Sequence, residues 1–262
     1  MWWVLFRAVF MRNWRTMRRY PFNMLAGIVI TYIIFLFIFH GYRMATGAAG
    51  ARPDVLDAIV VGYLVWLYCV SALSTVTWNV TNEAQMGTLE QLYMNRFGFL
   101  AVWFCHMASD LILSLAFVLP MLFAVMLTTG RWLTLGPRAL VSLLVVVPLT
   151  MASVYGCGLA LGGLALLFKQ VQAFFSVVQF ALVGVLVVPV ERAPALVFAP
   201  AALGAGMIRN IASPGNPIFL WRFEAWRLAT LAANAALWLV FGAAVFRAAV
   251  RAARRRGLLA HY

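Results

Sequence analysis

Long apolar runs separated by short polar segments follow one another along most of the chain. A helix needs about 20 consecutive apolar residues to cross a bilayer, and several of these runs reach or approach that length. The ten-residue alternation of apolar and polar positions that is typical of membrane barrels is absent. The pattern therefore predicts an all-α integral membrane fold with six transmembrane helices. The predicted spans are 24–42, 58–78, part of 97–127, part of 139–168, 171–188 and 228–246.

The composition favours a membrane protein, since 65% of the residues are hydrophobic and only 10% are charged. A soluble domain of 262 residues could not bury so much apolar surface. The net charge of +13 does not indicate a nucleic-acid partner, because no nucleic-acid motif is present. Arginine clusters at 7–19 and 247–256 flank the first and last spans, as the positive-inside rule predicts for cytoplasmic ends. We therefore expect a multi-pass protein of the plasma (inner) membrane with both termini in the cytoplasm.

Residues 1–21 form a separate amphipathic element before the first span. On a helical wheel the large apolar side chains share one side: Trp3, Phe6, Phe10, Trp14 and Met17. The basic side chains gather on the other side: Arg7, Arg12, Arg15, Arg18 and Arg19. This pattern is typical of a helix that lies in the membrane interface among the lipid headgroups. Pro21 then breaks the helix and lets the chain turn into the membrane.

A polar segment at 83–96 separates the second and third spans and is expected to form a helix outside the lipid. Glu83 and Glu90 are seven residues apart, so they lie on one helical face two turns from each other. With six spans and cytoplasmic termini, this segment also lies in the cytoplasm. Its carboxylates would suit basic side chains of a soluble partner, and a plain solvated loop helix is the alternative.

The segment at 189–208 is apolar but too short to cross a membrane, and Pro194 and Pro200 interrupt it. Such a segment is expected to form a re-entrant hairpin, here on the extracellular side. Glu191 either forms an ion pair with Arg192 at this hairpin or faces the exit of a translocation path.

His106 and Asp110 share one face of the third span because they are four residues apart. Ionisable groups inside a bilayer are costly and usually face the bundle interior or a wet cavity. They are either part of a translocation path or members of interhelical hydrogen bonds, and we favour the hydrogen bonds. The three cysteines lie in apolar runs without metal-site or disulfide spacing, so neither a metal nor a cofactor is expected on this chain.

The polar segment carries a recognisable pattern, Glu83-x-x-x-Gly87-Thr88-Leu89-Glu90-x-Leu92. Together with the N-terminal interface helix, the six spans and the broken hairpin before the sixth, this pattern resembles the type-2 permease family of ATP-binding cassette exporters. The resemblance covers nearly the whole length and implies one transmembrane domain, 1–262. It also implies that 83–96 is the coupling helix, which docks onto an ATPase subunit.

The resemblance implies a transport subunit that catalyses no covalent chemistry. ATP and Mg would bind to separate ATP-binding cassette ATPase subunits, and the permease would form a homodimer or a heterodimer with a similar permease. The alternative is a secondary transporter or channel that works alone through His106 and Asp110, but such proteins usually show inverted repeats or several intramembrane charges. An intramembrane protease is disfavoured because the G-x-S and H-E-x-x-H motifs are absent.

Overall fold

The computed structural model describes residues 2–47, 53–86, 98–130, 136–168, 172–188, 193–212 and 225–255. Within these ranges every regular element is helical, so the all-α prediction is confirmed. The longer helices are α1 (Trp2–Arg19), α2 (Pro21–Thr46), α3 (Pro53–Gln85), α4 (Phe99–Leu113), α5 (Leu115–Thr129), α6 (Pro137–Leu167), α7 (Gln172–Val187) and α9 (Ala225–Arg255). The shorter ones are the 3-10 helix η1 (Pro194–Phe198) and α8 (Ala202–Ala212).

Five helical stretches in the described part of the chain are long and apolar enough to cross a membrane. The predicted span at 171–188 instead forms α7, which has 16 residues. At a rise of 1.5 Å per residue, α7 is about 24 Å long, which is less than the hydrocarbon thickness of about 30 Å. The sixth span therefore stays a prediction. The five long stretches are Pro21–Thr46, Val55–Glu83, Leu100–Thr129, Pro137–Leu167 and Ala225–Ala253.

The third predicted span is divided at Ser114 into α4 and α5. In a continuous helix the Leu111 carbonyl would accept a hydrogen bond from the N–H of residue 115. Here it accepts hydrogen bonds from the Tyr68 hydroxyl at 2.6 Å and from the Ser114 hydroxyl at 3.3 Å. Side chains that enter the backbone ladder in this way break or bend a helix. Pro120, which lacks an N–H, interrupts the ladder again inside α5.

The C-terminal half of α6 forms the centre of the bundle, where nearly every residue from 150 to 166 is buried. One face of this half packs against α9 through glycines. A Cβ added at Gly156 would overlap the backbone of Trp238, and one added at Gly242 would overlap the Gly156 carbonyl. Only residues without a side chain allow two helix backbones to approach so closely.

A second face of α6 packs against α3. A Cβ added at Gly158 would lie 3.3 Å from the Leu73 carbonyl oxygen and from Val76 Cβ. A Cβ added at Gly162 would lie 3.2 Å from the side chain of Val80. Of the apolar window in α3, 61% is buried, the largest share among the five candidate spans. The two helices α3 and α6 therefore occupy the interior.

Residues 193–212 enter the bundle as η1 followed by α8, and most residues of α8 are buried. Two side chains of α9 bind the backbone of η1. Asn234 Nδ2 donates to the Val197 carbonyl at 2.7 Å, and Trp238 Nε1 donates to the Phe198 carbonyl at 2.8 Å. These bonds satisfy carbonyl groups that a single turn of helix leaves without partners.

The link between η1 and α8 is held by α6. Ala201 adopts a left-handed conformation with a φ of 64°, and its N–H donates to Ser153 Oγ at 3.0 Å. Gly204 lies directly against the side chain of Thr150. Residues 189–192 of the predicted hairpin lie outside the described residues, and the re-entry of this segment into a membrane stays a prediction.

The helix α2 lies at the edge of the bundle, with 11% of its apolar window buried. Phe35 and Phe39 attach it by packing in one cluster with Tyr63 and Leu67 of α3 and Met121 of α5. Most of its other side chains are exposed and apolar. This is the composition expected of a helix that faces lipid.

Candidate functional site

The N-terminal helix α1 runs beside the first part of α4. Leu5 and Val9 form an apolar cluster with Ala101, Val102 and Cys105. Polar contacts follow further along both helices, so the two helices run in the same direction where they touch. The two buried residues of this attachment, Leu5 and Val9, belong to neither the predicted apolar set nor the predicted basic set, whereas Phe6 of the apolar set packs against them.

Arg12 makes the central polar contact of this region. Its Nη1 donates to Glu83 Oε1 at 2.9 Å, and its Nη2 lies 3.4 Å from His106 Nε2. A guanidinium group can only donate, so the facing Nε2 of His106 is the acceptor and the imidazole proton is assigned to Nδ1. No described residue accepts a hydrogen bond from that buried Nδ1. One arginine thus joins α1, the end of α3 and α4.

The two members of the ion pair differ in exposure. The side chain of Glu83 is 13% exposed and that of Arg12 is 50% exposed. A pair that is partly enclosed in this way is screened less by salt than a surface pair. Removal of Arg12 would also take this ion pair from a largely enclosed carboxylate, which costs more than the loss of an exposed pair.

Asp110 lies one turn deeper in α4 than His106 and joins three helices. Its Oδ1 accepts a hydrogen bond from Thr75 of α3 at 3.0 Å, and its Oδ2 accepts one from Tyr155 of α6 at 2.8 Å. The neighbouring residue on α4, Ser109, accepts a hydrogen bond from Asn13 Nδ2 of α1 at 3.2 Å. The arrangement is that of interhelical hydrogen bonds, in which both carboxylate oxygens are occupied.

The structure places one member of the predicted coupling motif, Glu83, at the end of α3. Arg7, Arg15, Arg18 and Arg19 are exposed along α1, whereas Arg12 turns towards Glu83. The other predicted residues lie outside the described part of the chain: Gly87, Thr88, Leu89, Glu90, Leu92 and Glu191.

Sequence analysis did not identify the partners of the acidic residues. Arg12 and Glu83 are 71 positions apart, and Asp110 is 35 and 45 positions from Thr75 and Tyr155. The available signal was the presence of polar side chains inside apolar runs, because such groups need partners within a bundle.

In the described ranges, no three His, Cys, Asp or Glu side chains gather as ligands for a metal ion. No protein-family model matches the chain, and neither a curated protein nor a solved structure matches it. The resemblance to type-2 permeases therefore stays a prediction, made from the motif at 83–92 and the order of the predicted elements.

Proposed function

We propose that this chain is the transmembrane permease subunit of an ATP-binding cassette exporter of the type-2 family. It moves a substrate out of the cell with energy from ATP that a separate subunit hydrolyses. It lies in the plasma (inner) membrane with both termini in the cytoplasm, and it pairs with a second copy or with a similar permease. The motif at 83–92 and a helical bundle with five candidate spans support this proposal.

The position of Glu83 carries the proposal. It is the last residue of the candidate span Val55–Glu83 and the first residue of the polar segment 83–96. Any displacement of that segment by an ATPase subunit would act directly on α3, the most enclosed span. Through the ion pair with Arg12, the same displacement would act on α1 and, through α1, on α4.

This connection suits a coupling element. ATP-driven closure of the ATPase subunits must bias the bundle between an inward-facing and an outward-facing arrangement. A segment joined covalently to an enclosed helix and electrostatically to a second one transmits force to both. In this proposal α1 lies in the membrane interface, and 189–208 forms the extracellular re-entrant hairpin.

The first test is a purification of the full chain from its native membranes in mild detergent, with mass spectrometry of the proteins that accompany it. We expect a stoichiometric ATP-binding cassette ATPase, which is lost when Glu90 is changed to Lys; Glu83 is left unchanged because it binds Arg12. Asp57→Lys, at the opposite end of α3, is the matched control and should retain the ATPase. A chain that purifies alone, under conditions that preserve other membrane complexes, would contradict the proposal.

The second test exchanges the charges of the ion pair. Arg12→Glu places two carboxylates together and should lower the amount of substrate exported per ATP hydrolysed. Adding Glu83→Arg restores opposite charges and should recover coupling. Because Arg12 is half exposed, we expect the ion pair to contribute about 1 kcal/mol to the stability of the protein. A double variant that couples no better than Arg12→Glu alone would exclude the ion pair from force transmission.

A variant of Asp110 separates the exporter from the self-sufficient transporter. Asp110→Asn keeps an acceptor for one of the two hydroxyl groups that Asp110 binds, so ATP-driven export should largely persist. Transport that is lost although the variant folds normally and reaches the membrane would favour the alternative, in which Asp110 and His106 carry the transported ion or proton.

A further inference from the structure

An open groove with a volume of about 680 Å³ runs along α1, beside the face that contacts α4. Its described lining contains arginines and apolar side chains and no acidic residue. The lining includes four arginines and two large apolar side chains: Arg7, Arg12, Arg15, Arg19, Val4 and Met11. We infer that this groove binds the headgroup of an anionic phospholipid, independently of whether the chain belongs to an exporter.

Three of the four arginines of the groove are available to an anion. Arg12 is engaged by Glu83, and the guanidinium of Arg19 lies 5.9 Å from the ring centre of Tyr20. Arg7 and Arg15 form no ion pair with any described residue. Guanidinium groups bind phosphate oxygens through paired N–H donors, so a phosphodiester matches this lining chemically.

Apolar side chains in the same groove identify the source of the phosphate as a lipid. Val4 is 66% exposed and Met11 is 40% exposed, and a soluble phosphate gains nothing from contact with them. Trp2 and Trp3, at the start of the helix, are 63% and 70% exposed. Exposed tryptophans next to arginines are typical of helices at the membrane interface, where acyl chains cover the apolar groups.

The connection of α1 to the bundle places the groove beside the bilayer. α1 ends at Arg19, and α2, a candidate span, begins at Pro21. The basic end of α1 is therefore next to the point where the chain enters the membrane. A net positive groove favours an anionic headgroup over a zwitterionic one, because the latter brings its own positive charge.

The test uses the full chain in mild detergent and native mass spectrometry, which counts bound lipids. Phosphatidylglycerol and phosphatidylcholine with identical acyl chains are added separately, and inorganic phosphate is added as a third arm. We expect preferential retention of phosphatidylglycerol. The triple variant R7Q/R15Q/R19Q should lower its affinity on the order of 100-fold, since each arginine contributes about fivefold. Arg12 stays unchanged because it binds Glu83.

The matched control removes three exposed or partly exposed arginines at the other end of the chain. R247Q/R251Q/R255Q in α9 changes the net charge by the same amount and should leave binding to α1 unchanged. R7K/R15K/R19K keeps the charge and should retain most of the affinity. If the glutamine triple fails to fold, single variants replace it. Arg15→Gln should lower the affinity about fivefold, whereas Arg18→Gln, whose guanidinium stacks on Trp14 outside the groove, should not.

Several outcomes would overturn the inference. They are equal retention of the two lipids, equal losses in the α1 and α9 triples, and displacement of the lipid by an equal concentration of inorganic phosphate. A triple variant that keeps its lipids but loses a co-purifying protein would instead assign the groove to a protein partner.

Discussion

The first two candidate spans are α2 and α3, and the more hydrophobic of the two, α2, is the less buried. The apolar window of α2 has a mean hydropathy of 2.4 and is 11% buried, whereas that of α3 has 1.9 and is 61% buried. In water the more apolar helix would occupy the core. In lipid an apolar surface has no such preference, so the interior goes to helices that pack closely and form hydrogen bonds. Hydroxyl groups and facing glycines therefore locate the interior better than hydropathy does.

The largest difference in stability between the two regions is expected when a larger side chain replaces a glycine. Gly158→Leu would drive a side chain into the Leu73 carbonyl and Val76 of α3, whereas Gly41 of α2 has no neighbour within 4 Å of an added Cβ. Overpacking at the first position should lower the free energy of unfolding by about 3 kcal/mol. Gly41→Leu should be nearly neutral. Thermal unfolding of both variants in detergent measures this, and similar losses would mean that α2 is as enclosed as α3.

A smaller difference in stability is expected when a valine in each helix is shortened to alanine. Val76 of α3 is 2% exposed and Val29 of α2 is 48% exposed, so the same substitution can be compared at both sites. Val76→Ala leaves a cavity between α3 and α6 and should lower the free energy of unfolding by about 1–2 kcal/mol. Val29→Ala only shortens a side chain on the exposed surface of α2, so the free energy of unfolding should change little. Denaturant titration of the two variants tests the comparison, which fails if Val29→Ala is the more harmful change.

The smallest effect is expected where the two helices touch. The Tyr63 hydroxyl of α3 donates to the Thr31 carbonyl of α2. Tyr63→Phe removes this bond and should weaken the attachment of α2 by about 0.6 kcal/mol, the average for an interhelical hydrogen bond in a membrane protein. Hydrogen exchange should then be faster in α2 but unchanged in α6. Tyr20→Phe, at an exposed tyrosine, is the control, and equal exchange in both variants would exclude a role for the bond.

Local signals in the sequence predicted much of the helical framework. Pro21 separates α1 from α2, as a proline at the first helical position does. Gly130, in the left-handed conformation, follows the last residue of α5, and Pro137 begins α6. Each of these boundaries depends on residues next to it in the chain, so the sequence alone was sufficient.

Features that depend on distant residues were not predictable in the same way. At the break at Ser114, the Leu111 carbonyl accepts a hydrogen bond from the hydroxyl of Tyr68, which belongs to another helix. Acidic residues are rare in this chain, so Glu83 and Asp110 were identified as candidates from the sequence. Their partners were not, because the choice of Arg12 among several neighbouring arginines depends on how α1 packs against α4.

The hydrogen bonds from Asn234 and Trp238 to η1 determine an order of assembly. A ribosome synthesises residues 193–212 before α9, so the carbonyls of Val197 and Phe198 have no donor from α9 during that interval. The carbonyls of Val197 and Phe198 find these donors only when α9 arrives beside α6. A chain truncated before residue 225 is therefore expected to leave these peptide groups without their donors and to be degraded.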